Sequence, residues 1–338
     1  MTVELEQIEQ AAARIGGRAI RTPLMEAPLL NDRLGCRVLL KAEALQVTGS
    51  FKFRGAFNAI SQLAPGERER GVVAYSSGNH AQGVAAAAHY AGIGATIVVP
   101  DDIPEIKKHN TRSWGAELVF YRRESEDRAA IAEAIAADTG ATIVPPFDDY
   151  RIIAGQGTVG LELVEQAGSL GASADAVLVP CGGGGLTAGI ATAVKALSPE
   201  TKIFMVEPVG YDDTKRSFAA GERRAVDLGP GHPATLCDAL MAPMPGELTF
   251  PINRRLVDGV LAIDDDTVCH GLYTAFAEFK LVLEPAGAIA LAALVSGALA
   301  EEFDAAGKTI VAIGSGGNVD AATYADALKR GAARAVTA

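Results

Sequence analysis

Residues 177–197 read VLVPCGGGGLTAGIATAVKAL: an apolar run, four glycines from Gly182 to Gly185, and an alanine-rich helix-forming stretch. A strand that feeds straight into a helix is the repeating unit of an α/β sheet, so this one stretch points to the fold class. The same order recurs along the chain. VVAYSS, ATIVVP, AELVFY, ATIVPP, AVLVPC, KIFMVE and TIVAIGS are predicted strands, and NHAQGVAAAAHYAG, PEIKKHNTRSWG and SEDRAAIAEAIAADTG are predicted helices between them. Their alternation predicts twisted, mostly parallel sheets covered by helices. Strand–helix units between residues 71 and 148 predict a small self-contained domain. Residues 1–70 and 149–338 then form a large domain, with a ligand pocket where the two meet.

The composition fits this reading and removes others. With 338 residues, 49% of them hydrophobic, the chain can bury two cores without disulfide or metal staples. A formal charge of −11 and no basic stripe argue against nucleic acid or an anionic membrane as partner. Cys36, Cys181, Cys237 and Cys269 are widely spaced and read as reduced thiols. MTVELEQIEQ lacks the basic start and apolar block of a secretion signal, and GAIALAALVSGALA is too short to span a bilayer, so a cytoplasmic protein is expected.

The glycine run carries chemistry as well as fold. Backbone N–H groups can converge there without side-chain obstruction, and the following helix adds positive charge, so the loop predicts an anion cradle with phosphate as its occupant. Gly183-x-Gly185-x-x-Ala188, with Glu207 ending the next strand, also fits a dinucleotide site, which keeps an NAD-dependent dehydrogenase open as a rival. Two more strand-ending loops carry small polar residues. YSSGNHAQG offers Ser76, Ser77, Asn79 and His80 as donors at a helix start, and AIGSGGNVD offers Ser315.

In TGSFKFRGAF, residues 48–57, Ser50 is the predicted helix cap, and Phe53, Ala56, Phe57, Ile60 and Leu63 are the apolar stripe that follows. Lys52 then falls at the helix N-terminus, where dipole and burial both disfavour an ammonium and leave the amine nucleophilic. An aldehyde cofactor bearing a phosphate needs such an amine and such a cradle together.

SFKFRGA, SSGNHAQG, IAGQGT, PCGGGGL, LEPAGA and GSGGN, in that order, resemble the pyridoxal-phosphate-dependent serine/threonine dehydratase and serine racemase family, and the resemblance spans nearly the whole chain. It implies the tryptophan synthase β-like fold, fold type II of these enzymes. By that resemblance Lys52 bonds the cofactor aldehyde, Gly182, Gly183, Gly184, Gly185 and Leu186 hold its phosphate, and Phe51 packs on its ring. Asn79 then bonds its phenolic oxygen and Ser315 faces its pyridine nitrogen. Glu284 of LEPAGA lies near the cofactor in the family, although the sequence fits an ordinary helix cap equally well. Ser76, Ser77, Asn79 and His80 match the loop that receives the substrate carboxylate. Ser77 also stands where racemases exchange a proton opposite the lysine.

The implied reaction dehydrates and deaminates a β-hydroxy amino acid to a 2-oxo acid and ammonia. Arg128 matches a position shared with serine racemases and hydroxyaspartate dehydratases, where its guanidinium could meet a second carboxylate; it could equally pair with Glu124 on a helix face. On that ground 3-hydroxyaspartate, giving oxaloacetate, is the expected substrate, with L-serine or L-threonine dehydration and serine racemisation as alternatives. Glu207, Tyr211 through its main chain, and Asp213 match the family's site for magnesium, calcium or manganese. A homodimer is expected, since the family is usually dimeric. The chain ends soon after the last strand–helix unit, which is read as the lack of an appended regulatory domain and hence a catabolic enzyme.

Overall fold

A computed structural model describes residues 2–76, 78–103, 105–122, 125–229 and 231–335. Its strands are β1 (Leu24–Glu26), β2 (Arg37–Ala42), β3 (Val72–Tyr75), β4 (Ala95–Pro100), β5 (Glu117–Tyr121), β6 (Thr142–Ile143), β7 (Ala176–Pro180), β8 (Lys202–Pro208), β9 (Gly259–Ile263) and β10 (Thr309–Gly314). One sheet has the order β1-β2-β10-β7-β8-β9, and the other β5-β4-β3-β6. Every pairing is parallel except β1 with β2, as the strand–helix alternation requires.

Strands covered on both faces should be apolar on both, and the larger sheet is. Val177, Val179, Val311 and Ile313 pack with Leu163 and Ile190 on one side, while Leu178, Leu40 and Ala312 pack with Ile289 and Ala292 on the other. β1, β2 and β9 are not among the sequence-predicted strands. RVLLKA and GVLAI are short continuous apolar runs whose periodicity does not separate a buried strand from a helix, and β1 has three residues. Asp264 caps the helix Asp265–Phe279 by accepting the Thr267 N–H at 2.8 Å, so the acidic run Asp264, Asp265, Asp266 is a helix start.

The helix Lys52–Ser61 packs on both Asn79–Ala91 and Tyr150–Ser169. Against the second, a Cβ on Gly155 would overlap the Gly55 backbone, and the Gly55 N–H donates to Gln156 Oε1 at 3.2 Å, so SFKFRGA and IAGQGT bring two helix backbones into close contact. Ser50 is not the predicted cap. The helix begins from Phe51 with no side-chain cap, Ser50 forms a β-bridge with Gly316, and the Phe51 N–H donates to the Ser315 carbonyl at 3.1 Å. A tertiary contact therefore ties the residue before Lys52 to the loop after β10. The four cysteines are buried and unpaired with one another. Among the described residues no helix is long and apolar enough to cross a membrane.

Candidate functional site

The carboxyl ends of β3, β7 and β10 meet at a cleft of about 650 Å³. Parallel sheets place loops and helix N-termini at that edge, which is why ligands bind there. Phe51, Lys52, Ser76, Asn79, His80, Arg128, Gly182, Gly183, Gly184, Gly185, Leu186, Glu284 and Ser315 all line it. Ser77 lies outside the described residues. Glu207, Tyr211 and Asp213 stand elsewhere, as expected for a separate site.

The glycine loop has its peptide planes fixed from behind. Thr249 Oγ1 donates to the Gly183 carbonyl at 2.6 Å and Asn253 Nδ2 to the Gly184 carbonyl at 3.0 Å. In a trans peptide the N–H points opposite to its carbonyl, so the N–H groups of Gly184 and Gly185 are turned away from Thr249 and Asn253. Gly184, at φ +87°, opens the helix Gly185–Leu197 and needs the left-handed conformation that glycine adopts freely. A Cβ on Gly183 would overlap the Phe147 ring. A side-chain-free nest of fixed donors at a helix N-terminus fits a phosphate.

The Lys52 amine donates to the Pro146 carbonyl at 2.7 Å and lies 5.1 Å from the centre of the Phe51 ring. Burial lowers its pKa to about 8, against the opposing pull of Glu284. Glu284 sits at the N-cap of the helix Pro285–Val295 but caps nothing with its carboxyl. Its Oε1 instead accepts from Asn79 Nδ2 at 2.6 Å, and burial raises its pKa to about 8. Asn318 Nδ2 donates to Asn79 Oδ1 at 2.7 Å and to the Thr48 carbonyl at 2.8 Å. The Asn79 amide is thus held at both ends, with its second N–H left to serve a ligand.

His80 is buried, and its Nε2 donates to the Val144 carbonyl at 2.8 Å. Burial, reinforced by Lys52, pushes its pKa to about 3, so the ring is neutral and Nδ1 carries no hydrogen. The donor that His80 can offer an anion is therefore its main-chain N–H, in the first turn of the helix Asn79–Ala91. Arg128 begins the helix Arg128–Thr139 behind the Asp127 cap, with its guanidinium 6.0 Å from the Tyr75 ring centre. Among the described residues no carboxylate pairs with Arg128; the alternative partner, Glu124, lies outside them.

Thr249, Asn253, Asn318, Phe147 and the Pro146 carbonyl were not singled out from the sequence. Asn318 stands inside GSGGN and had a local signal. The others act across tertiary contacts, and PPFDDYR reads as a turn.

At the second site Glu207 and Asp213 are fully buried. Glu207 accepts the N–H groups of Thr214 and Lys215, each at 3.0 Å, at the start of the helix Asp213–Ala220. Both of its oxygens are thus engaged away from any ribose, against the dinucleotide reading. Neither Asp213 oxygen has a hydrogen-bond partner. Burial raises both carboxyls, and for Asp213 the Glu207 charge adds to it. Such a pair of buried carboxyls fits a hard divalent cation. Among the described residues no three His, Cys, Asp or Glu side chains come together as a metal cluster.

Over residues 16–316 the chain matches the sequence pattern of the family described as pyridoxal-phosphate dependent enzyme. It is 43% identical over 320 residues to an L-threo-3-hydroxyaspartate ammonia-lyase from Pseudomonas sp, covering 95% of this chain and 97% of that one. A solved threonine deaminase from T.th. superposes with a TM-score of 0.87 at 45% identity, covering 94% and 99% of the two chains. Maize serine racemase superposes with a TM-score of 0.88 at 36% identity, covering 99% and 100%.

Proposed function

The chain belongs to the family of pyridoxal-phosphate dependent enzymes, and from that premise we propose that it converts 3-hydroxyaspartate to oxaloacetate and ammonia. The reaction class rests on one observation, the Lys52 amine of lowered pKa in the same cleft as the glycine cradle. The substrate rests on the likeness to the Pseudomonas ammonia-lyase and on Arg128 at the cleft wall. When bound, the cofactor supplies an electron sink that makes the substrate α-hydrogen acidic.

The chain's own residues do the rest. Lys52 takes the α-proton, its amine oriented by the Pro146 carbonyl. Ser76, Ser77 and the N–H groups of Asn79 and His80 bind the α-carboxylate, and Arg128 binds the distal one. The amides from Gly182 to Leu186 hold the phosphate, Phe51 flanks the ring, Asn79 donates to the phenolic oxygen, and the Ser315 hydroxyl serves the ring nitrogen. Loss of the α-proton and the β-hydroxyl removes one water. Hydrolysis of the released enamine, as its imine tautomer, takes one up, so oxaloacetate and ammonia are the net products.

The test is 2-oxo acid release from L-serine, L-threonine and both diastereomers of 3-hydroxyaspartate, with the threo form expected fastest. Arg128→Ala should lower kcat/KM for the diacid about 10- to 100-fold, the worth of a charged hydrogen bond, and affect serine far less. Equal losses on all substrates would remove Arg128 from recognition. Dehydration of threonine or serine is the second reading, favoured by the 45% identity to the threonine deaminase. Racemisation would call on Ser77.

Glu207, Asp213 and the Tyr211 carbonyl hold magnesium, calcium or manganese in this reading; the partnerless carboxylate of Asp213 supports it. A chelator should then lower Tm, and magnesium at a hundredfold excess over Kd should restore it, a gain of about 2.7 kcal/mol in unfolding free energy. Asp213→Asn should lose the response. Residues 71–148 act as the small substrate-binding domain against a large domain of residues 1–70 and 149–338. The protein works in the cytoplasm as a homodimer. Its shared face carries Leu29, Leu45, Phe276 and Val282, all exposed, on elements linked by the Arg33–Glu278 ion pair and by Gly317 lying against Ala44 and Val282.

A further inference from the structure

An ion pair crosses the mouth of the cleft. Lys107, on the helix Glu105–Ser113 beside the four-stranded sheet, donates from Nζ to Asp238 Oδ2 at 2.9 Å. Asp238 opens the one-turn helix Asp238–Leu240, which lies against Gly182. Both side chains line the cleft with Arg128 and Asp102.

The two partners are held unequally. The Lys107 side chain is 22% exposed and that of Asp238 58%. A mostly hydrated carboxylate swings away at little cost, whereas a mostly covered ammonium stays where the fold puts it. Exchange therefore takes place at the amine, with an arriving carboxylate replacing the departing one and no net loss of pairing. At neutral pH serine carries no net charge and 3-hydroxyaspartate carries one extra carboxylate. An unpaired Asp238 at the mouth would repel the second and spare the first.

We propose that Lys107 is a specificity-determining residue that receives the distal carboxylate of a dicarboxylic substrate, with Asp238 as the partner it gives up. This rests on the dicarboxylate reading of the cleft. Arg128 and Lys107 then approach the same group from two elements, a guanidinium fork and a point charge.

The experiment measures kcat/KM for 3-hydroxyaspartate and for serine on the holoenzyme, and the inhibition of serine turnover by succinate and by butyrate. Lys107→Met should lower the diacid-to-serine ratio about 30-fold, mostly through KM, and weaken succinate relative to butyrate about tenfold. Lys107→Arg should stay within about threefold of wild type, and Asp238→Asn should raise the ratio. Equal losses on both substrates would make the pair a mere latch between the sheets and overturn the proposal, as would succinate inhibition that Lys107→Met leaves unchanged. If the wild type does not turn over the diacid, the substrate reading falls by itself. The succinate and butyrate arm still decides the role of Lys107, supporting it if succinate is selectively weakened and overturning it if not.

Discussion

Lys52→Met is expected to lose turnover by at least about four orders of magnitude while folding more stably than the wild type at pH 7. The first half follows from removing both the covalent anchor and the base; borohydride should fix the cofactor to the wild type at Lys52 and leave the variant unlabelled. The second half follows from burial, which lowers the amine's pKa to about 8 from 10.5. A base whose folded pKa lies below its unfolded value is penalised in its charged form. Lys52 therefore costs stability below pH 8, and the cost is relieved as pH rises from about 8 toward 10.5. A methionine of similar length escapes it, so chemical denaturation of the two proteins stripped of cofactor should show a gain of about 1–3 kcal/mol at pH 7 that shrinks across that window. A variant equal to or weaker than wild type at pH 7 would mean that the amine is not strained by its site. The same shift has a catalytic side. Once the substrate has displaced it from the cofactor, an amine of pKa 8 is neutral about one-tenth of the time at pH 7, roughly 300-fold more than an ordinary lysine, so kcat should rise with pH and level off above about 8.

What the sequence discloses and what it hides divide along a physical line. Strand, glycine loop and following helix are contiguous, so VLVPCGGGGL, YSSGNHAQG and AIGSGGNVD announce both the parallel sheets and the cleft edge from local residues alone. Lys52 was legible for the same reason, its helix position and apolar neighbours being within one turn. The hidden parts are fixed by contacts between distant segments. Thr249 and Asn253 turn the Gly183 and Gly184 peptides from more than sixty residues away. Lys107 and Asp238 are 131 residues apart. Pro146 contributes only a carbonyl, which any residue type would supply. Ser50 misled because a helix-start serine usually caps; here its backbone pairs with Gly316, and that contact has no sequence signature. For His80 the residue type does not tell ring from main chain as the donor; the fold commits the ring to Val144.

Arg54→Met should cost about 3–5 kcal/mol, a large part of the roughly 5–15 kcal/mol that holds such a fold together. Arg54 is fully buried two residues from Lys52, and its guanidinium grips Glu43 through Nε and Nη2, each at 2.8 Å. It reaches Glu162 at 2.7 and 2.9 Å, and Lys41 meets Glu162 from the other side at 2.6 Å. Two cations and two carboxylates cancel. Taking Arg54 away leaves one uncompensated negative charge in the interior, whereas Arg54→Lys keeps the charge and loses the two-pronged grip, so it should cost less. If charge balance is the cause, Arg54→Met with Glu43→Gln should recover part of the loss. A double variant no better than the single one would locate the effect in packing instead. The acid limb of the stability curve gives a second reading. Burial alone would raise the Glu43 carboxyl, but Arg54 and Lys41 hold its pKa below the ordinary 4.5. A carboxyl lowered in the folded state contributes stability that is present above its unfolded pKa and is lost as pH falls through the folded one. Denaturation midpoints of the wild type should therefore drop on acidification below about pH 4.5, and Arg54→Met, which has already lost that contribution, should show a shallower drop. Because this network anchors the helix that starts at Lys52, kcat of the variant should fall even at temperatures where it remains folded.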